Sequence, residues 1–360
     1  MWHVAGAQRL NPACVLLGEG EAVMVSRRDV VLGGAALAAG SALPAVAQTY
    51  VAPGQVSLSV LDSRAIKATM GRNDRLAVLG YRLGVITRSG ISASTGQGTV
   101  SMQTSVELTG VSLAQVRAIA DAAYADLMGQ LAQTGRPMAT LDEIRATKGY
   151  RLLTPAPMPF IKKPFTDART AAIVSPNGQD LFFQHADTPL TDRSPMDLKN
   201  WRAINQMSVD LGNAVILTPV VVVDFAELSG SGHKVYGGGA SIGVKPGVYV
   251  VDFFSGLGAN QAKIALAGDG GRALLQRRIA VGQAGEFVKT ASYNNRDEVA
   301  WWNMMASTAT SDAGRPTLAY DYSSYQYRVD PAQFADAVLD GCRAMNRAYA
   351  EAAATLRPGR

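Results

Sequence analysis

The stretch Val215-Ile216-Leu217-Thr218-Pro219-Val220-Val221-Val222-Val223-Asp224-Phe225 constrains this chain most. It is a near-continuous apolar run, broken only by Thr218, Pro219 and Asp224. β-Branched residues dominate it, and their stiff side chains favour strands over helices. The run does not alternate between polar and apolar, so it reads as a strand buried on both faces. A sheet therefore lies at the centre of the fold, and other segments must cover it.

Those segments are readable. Leu79 to Arg88 reads as a strand, 90–98 as a Gly/Ser/Thr loop, and Thr99 to Leu108 as a second strand. In the second strand Val100, Met102, Thr104, Val106 and Leu108 share one face, the period of a half-buried antiparallel strand. A helix follows over 112–134. Ser112 and Gln115 have capping-box spacing, and Leu113, Val116, Ile119, Ala120, Ala123, Leu127 and Leu131 form an apolar stripe. Gly135-Arg136-Pro137 stops it. Thr140 and Glu143 cap a shorter helix, Leu141 to Lys148. Thr154 to Pro164 holds four prolines in eleven residues and reads as a loop between two lobes.

Beyond that loop, Ala171–Val174 and Leu181–Gln184 are strand candidates joined through the Pro176-Asn177-Gly178 turn. Ser194, Pro195 and Asp197 open a helix that runs to Leu211. After the Val-rich run come strands over 247–254, 261–267, 272–281 and 317–329. Asp330 and Pro331 start a last helix, whose buried stripe is Phe334, Ala337, Val338, Cys342, Met345 and Tyr349. The segment 48–74 reads as a leader. The expectation is an α+β (mixed α/β) fold, a mostly antiparallel sheet with helices packed on one face. The organisation is 1–47 as a signal region, 48–153 as an N-terminal hairpin-helix lobe and 165–360 as a C-terminal α+β lobe. The two lobes are also compatible with one domain.

The N-terminal region carries an address. Ser26-Arg27-Arg28-Asp29-Val30-Val31-Leu32 is followed by a weakly apolar run to Ala47 that contains Gly33, Gly34, Gly40 and Pro44. It ends in a small-x-small site, Ala45-Val46-Ala47. This order of parts resembles a bacterial twin-arginine (Tat) signal peptide. The resemblance implies export of an already folded protein, hence a periplasmic location, with Arg27, Arg28, Ala45 and Ala47 as the signal residues. The eighteen residues from Val30 to Ala47 fall short of the roughly 20 strongly apolar ones that span a bilayer, so cleavage is favoured over a retained anchor. Met24 is the candidate true start.

Removal of 1–47 takes away three basic and three acidic residues, so the net charge stays +5. It leaves Cys342 as the lone thiol, which rules out an internal disulfide.

No motif fixes a reaction. Gly239-Ala240-Ser241-Ile242-Gly243 matches G-x-S-x-G, but a nucleophile elbow needs a helix next, and Lys245-Pro246-Gly247 follows. His233, eight residues before Ser241, is the only nearby base. The glycines of 237–243 lack the Lys-Ser/Thr of a phosphate loop. His185, Asp187 and Asp192 form a loose cluster without a second His, so neither a metal nor a cofactor is expected. Asp224 and Asp252 stand in repeated Val-Asp-Phe triplets and are candidates for shared acid–base work, with Glu227 nearby. Tyr320, Tyr322, Tyr325 and Tyr327, with Trp301-Trp302 upstream, suit an interface or a sugar or peptide groove. The basic residues are scattered, which argues against nucleic acid.

The expectation is a non-catalytic exported protein that binds an envelope protein, a peptide or a glycan. The rival is an exported hydrolase using Ser241 or Asp224 with Asp252. In layout alone the helices, long apolar strand and Gly-rich hairpins are similar to the periplasmic domains of the curli secretion channel family, which would imply outer-membrane assembly.

Overall fold

The computed structural model describes residues 50–94, 100–162, 169–183, 199–232, 240–252, 254–262, 268–294 and 319–358. The segment 1–47, with Arg27, Arg28, Ala45 and Ala47, lies outside the described residues. The segment read as a leader forms two short 3-10 turns and helix α1 (Arg64–Met70). It buries Val51, Val56, Val60, Leu61, Ile66 and Met70 in the main core, so apolar spacing outweighs its Pro-Gly punctuation.

Strands β1 (Leu76–Val78), β2 (Arg82–Ser94) and β3 (Val100–Thr109) come next. β2 continues six residues past the expected end at Arg88. Helix α2 (Leu113–Gln133) opens on a complete Ser112/Gln115 capping box, and α3 (Leu141–Ala146) on a Thr140/Glu143 box. Every apolar position of the α2 stripe is buried except Leu113, which is 44% exposed in the first turn. α4 (Lys148–Arg151) follows.

The proline-rich segment is mostly irregular, yet Phe160–Lys162 forms β4 on β5 (Thr170–Val174). Leu181 to Phe183 is buried without strand structure. α5 is described over Lys199–Asp210. Then come β6 (Val215–Gly232), β7 (Ala240–Val250), β8 (Gly256–Ala262), β9 (Gly268–Leu274), β10 (Ile279–Gly282), β11 (Gly285–Asn294) and β12 (Ala319–Val329). The chain closes on α6 (Pro331–Thr355), capped by Asp330, whose carboxylate accepts from the backbone of Ala332 and Gln333.

The sheet order is β10-β7-β6-β2-β3-β12-β11, with β1 and β8 on β6, β5 on β2, β4 on β5 and β9 on β8. Three described pairs are parallel (β1 with β6, β2 with β6, β3 with β12); the other eight are antiparallel. The fold is α+β, with helices packed against a mostly antiparallel sheet. Pro219 falls where one edge of β6 changes partner: β1 pairs through Leu217, and β2 begins at Val220.

The Val-rich run is covered on both faces. Val215 and Leu217 join the large core with Val116, Leu127, Phe334 and Met345 of α2 and α6. Ile216 joins a second cluster with Ile144, Ile204 and Met207 of α3 and α5. The main helix layer is thus the expected one, and a smaller layer meets the opposite side of β1 and β6. Fully burying a Leu or Phe here contributes roughly 1.5–3 kcal/mol.

Buried Arg136 ties the elements together: its Nε donates to Asp74 O (2.9 Å), just before β1, and its Nη1 to Ala353 O (2.9 Å), in the last turn of α6. Among the described residues no helix is long and apolar enough to cross a membrane.

Candidate functional site

Asp224 and Asp252 do come under one influence. Asp224 sits on β6 opposite Tyr249 of β7, where the register shifts between Asp224 and Ala226. A bulge of this kind leaves backbone groups without ladder partners. The Asp224 carboxylate fills the gap: Oδ1 accepts from Phe225 N (2.8 Å) and Ala226 N (3.4 Å). Its Oδ2 is buried without a hydrogen-bond partner, and Arg169 Nε stands 3.8 Å away. Arg278 is the shared neighbour. Its charge acts on Asp224, and its Nε lies 3.5 Å from Asp252 Oδ1.

Burial pushes the Asp224 carboxyl above the ordinary range; Arg169, Arg278 and the two backbone donors oppose that only in part. The Tyr249 phenol beside it is pushed up to about 12, first by burial and then by Glu227. This charge cluster, with Asp224 and Arg278 buried and Arg169 and Asp252 half-buried, fastens the point where β6 leaves the core. Neither Arg169 nor Arg278 was legible as a partner, because each is far from Asp224 in sequence and no spacing rule links them.

Ser241 lies within β7, exposed, directly opposite Ser231 of β6. A strand continues after it, where a nucleophile elbow would turn into a helix. His233, the cluster of His185, Asp187 and Asp192, and Trp301-Trp302 lie outside the described residues. Among the described residues no group of three or more His, Cys, Asp or Glu is placed to hold a metal ion. Cys342 is buried, and burial raises its thiol to about 12, which keeps it protonated and unreactive.

The outer halves of β2, β3, β12 and β11 form a different surface. On one face, the β6–β7 hairpin lies over Ile91 and Ala93. Gly230 makes the approach possible, since a Cβ there would sit 3.1 Å from Ile91 Cδ1. Thr104, Val106 and Tyr327 are buried on that side. Tyr325 stacks with Phe287 at 4.6 Å, and Tyr327 with Phe225 at 6.2 Å.

No described helix or strand is paired against the other face. Register places Tyr293, Tyr322, Gln103 and Ser92 in one row across the four strands, and Ala291, Ser324, Ser105 and Gly90 in the next. Tyr293 is 55% exposed. The Tyr322 hydroxyl shares a hydrogen bond with Ser105 Oγ (3.2 Å), and Ser105 donates to Ser324 Oγ (3.3 Å). Hydrogen bonding of the Tyr322 hydroxyl to Ser105 and Ser324, and the Arg88 charge, lower its phenol.

The tyrosine-rich strand therefore divides by parity: Tyr325 and Tyr327 serve the core, and Tyr322 faces out. Tyr293 was missed because β11 lacks the alternation that marks β3. No family model, curated protein or solved structure matches this chain.

Proposed function

We propose that the chain is an exported envelope protein without catalytic chemistry of its own, which holds a partner on the open face of β2, β3, β12 and β11. The observation that carries this reading is the row Tyr293, Tyr322, Gln103 and Ser92 on a sheet face that no described element covers. Aromatic bodies with polar tips suit a binding surface, where one end packs and the other stays wet. The Arg27-Arg28 segment supports export to the periplasm.

The hydrolase rival has weaker support. One oxygen of Asp224 is committed to the bulge and the other is sealed from solvent, while Asp252 faces Arg278. A general acid or base must reach its substrate proton.

N-terminal sequencing of the protein from envelope fractions tests the address, with Gln48 expected as the first residue. The unprocessed chain in the cytosol would overturn it. Affinity capture from the same fractions with wild-type and Ser105→Arg protein tests the face. Loss of the captured partner on placing a long cation in the second row is the expected result; equal capture by both would remove the face from the reading.

A further inference from the structure

We infer that the open face takes a neutral, linear glycan; this rests on the binding reading above and names its ligand class. The first argument is the attitude of Tyr322. Ser105 lies one strand over and two residues along from Tyr322, about 8 Å between backbones by sheet geometry. A tyrosine standing upright on the sheet would hold its hydroxyl far above a serine at that distance. The 3.2 Å contact to Ser105 Oγ therefore requires the ring to lie across the sheet, with one face turned to solvent. A ring lying flat is the platform on which the C–H face of a pyranose stacks, as an apolar body under polar hydroxyls.

The second argument is charge. The charges on this face come as directly opposed pairs, Arg88 across from Glu107 and Glu286 across from Arg328. The lysine of β11, Lys289, lies over the Tyr325 ring on the opposite face. The open face is thus close to neutral, complementary to neither a polyanion nor a strongly basic peptide. Beside the charged pairs it carries the amide of Gln326, whose Oε1 accepts from Arg328 Nε (3.2 Å), and the hydroxyl of Ser92, groups that both donate and accept, as sugar hydroxyls require. Four strands by three rows, the third being Val288, Gln326, Glu107 and Arg88, span about 14 by 14 Å, a field for several sugar rings.

Titration calorimetry on the processed protein with chitotetraose, cellotetraose and an anionic hyaluronan tetrasaccharide tests this. Binding of a neutral tetraose is expected, with none of the anionic one. Tyr293→Ala and Tyr322→Ala should each weaken it about tenfold, the loss of one stacking contact. Tyr322→Phe keeps the ring and should change affinity no more than about threefold. Thermal melts of each variant separate lost contact from lost fold, and Tyr293, exposed at the sheet edge, gives the cleaner readout.

Failure of both neutral tetraoses, tighter binding of the anionic one, or equal affinity in Tyr293→Ala and wild type would overturn the inference. Self-association that is abolished by Tyr293→Ala in sedimentation, without sugar binding, would assign the face to a second copy and overturn it as well. If sugars fail while envelope capture still depends on Ser105, the glycan falls and the binding face stands.

Discussion

The same strands behave differently in their two halves. From Val215 to Ala226 every residue of β6 is buried; from Glu227 onward it is half-buried or exposed wherever its side chains are described. β2 is buried from Arg82 to Ile86 and then alternates. Each of three hairpin strands passes an irregularity on the way out: between Asp224 and Ala226, between Ile86 and Arg88, and between Lys289 and Ala291. Bulges bend and twist a strand, which lets one sheet leave a helix-covered core and present a face that no described element covers. Composition follows: Val and Leu where both sides are dry, Ser, Gly, Gln and Tyr where one side is wet. Stability therefore resides in the covered half, and the outer half is free to serve recognition.

The largest effect should come from the covered half. Phe334, fully buried on α6, packs in the core that contains β6. Phe334→Ala should cost about 3–5 kcal/mol in denaturant unfolding, the lost transfer energy plus a cavity. A loss under about 1 kcal/mol would mean that the helix layer is not what holds the sheet, and the comparison would break.

Asp224, at the junction, should come next. Asp224→Ala leaves two bulge N–H groups unsatisfied in a buried site and should cost about 1–3 kcal/mol. Asp224→Asn keeps an acceptor for them and separates charge from hydrogen bonding. The folded-state carboxyl is raised, so the native protein binds this proton more tightly than the unfolded chain does. The resulting stability is fully present below the ordinary carboxylate value, near 3.8, and is lost as pH rises through the raised one. The neutral Asn does not titrate. The variant's stability relative to wild type should therefore improve as pH rises from about 4 toward neutrality. A relative stability that falls with pH would reverse the balance between burial and the two arginines.

Much of the covered half was legible in the sequence. Both capping boxes, the Asp330-Pro331 start and the apolar stripes of α2 and α6 are local patterns, and local patterns survive folding. The outer half was less so. β2 runs through Ser89-Gly90-Ile91-Ser92, residues that read as a loop; pairing with β3 overrides their weak strand preference. β11 was not foreseen at all, since a bulge at Lys289 breaks its alternation. The candidate site was half legible. Asp224, Asp252 and the tyrosine cluster were visible by type, but Arg169, Arg278 and Tyr293 join them only through register and tertiary approach.

The smallest effects should come from the open face, and their smallness is itself informative. Tyr322→Phe removes one part-buried hydrogen bond to Ser105, so the cost should be about 1 kcal/mol or less. Ser92→Ala should fall within about ±0.5 kcal/mol. The same Tyr322→Phe change has a separate optical signature. Ser105, Ser324 and Arg88 lower this phenol below the usual value near 10, whereas burial raises Tyr249 to about 12. In an ultraviolet titration the earliest phenolate should therefore disappear in the variant, while the late one remains. Loss of more than about 1.5 kcal/mol, with the early phenolate unchanged, would mean that Tyr322 is packed as core. The division between a face that stabilises and a face that binds would then fail at Tyr322.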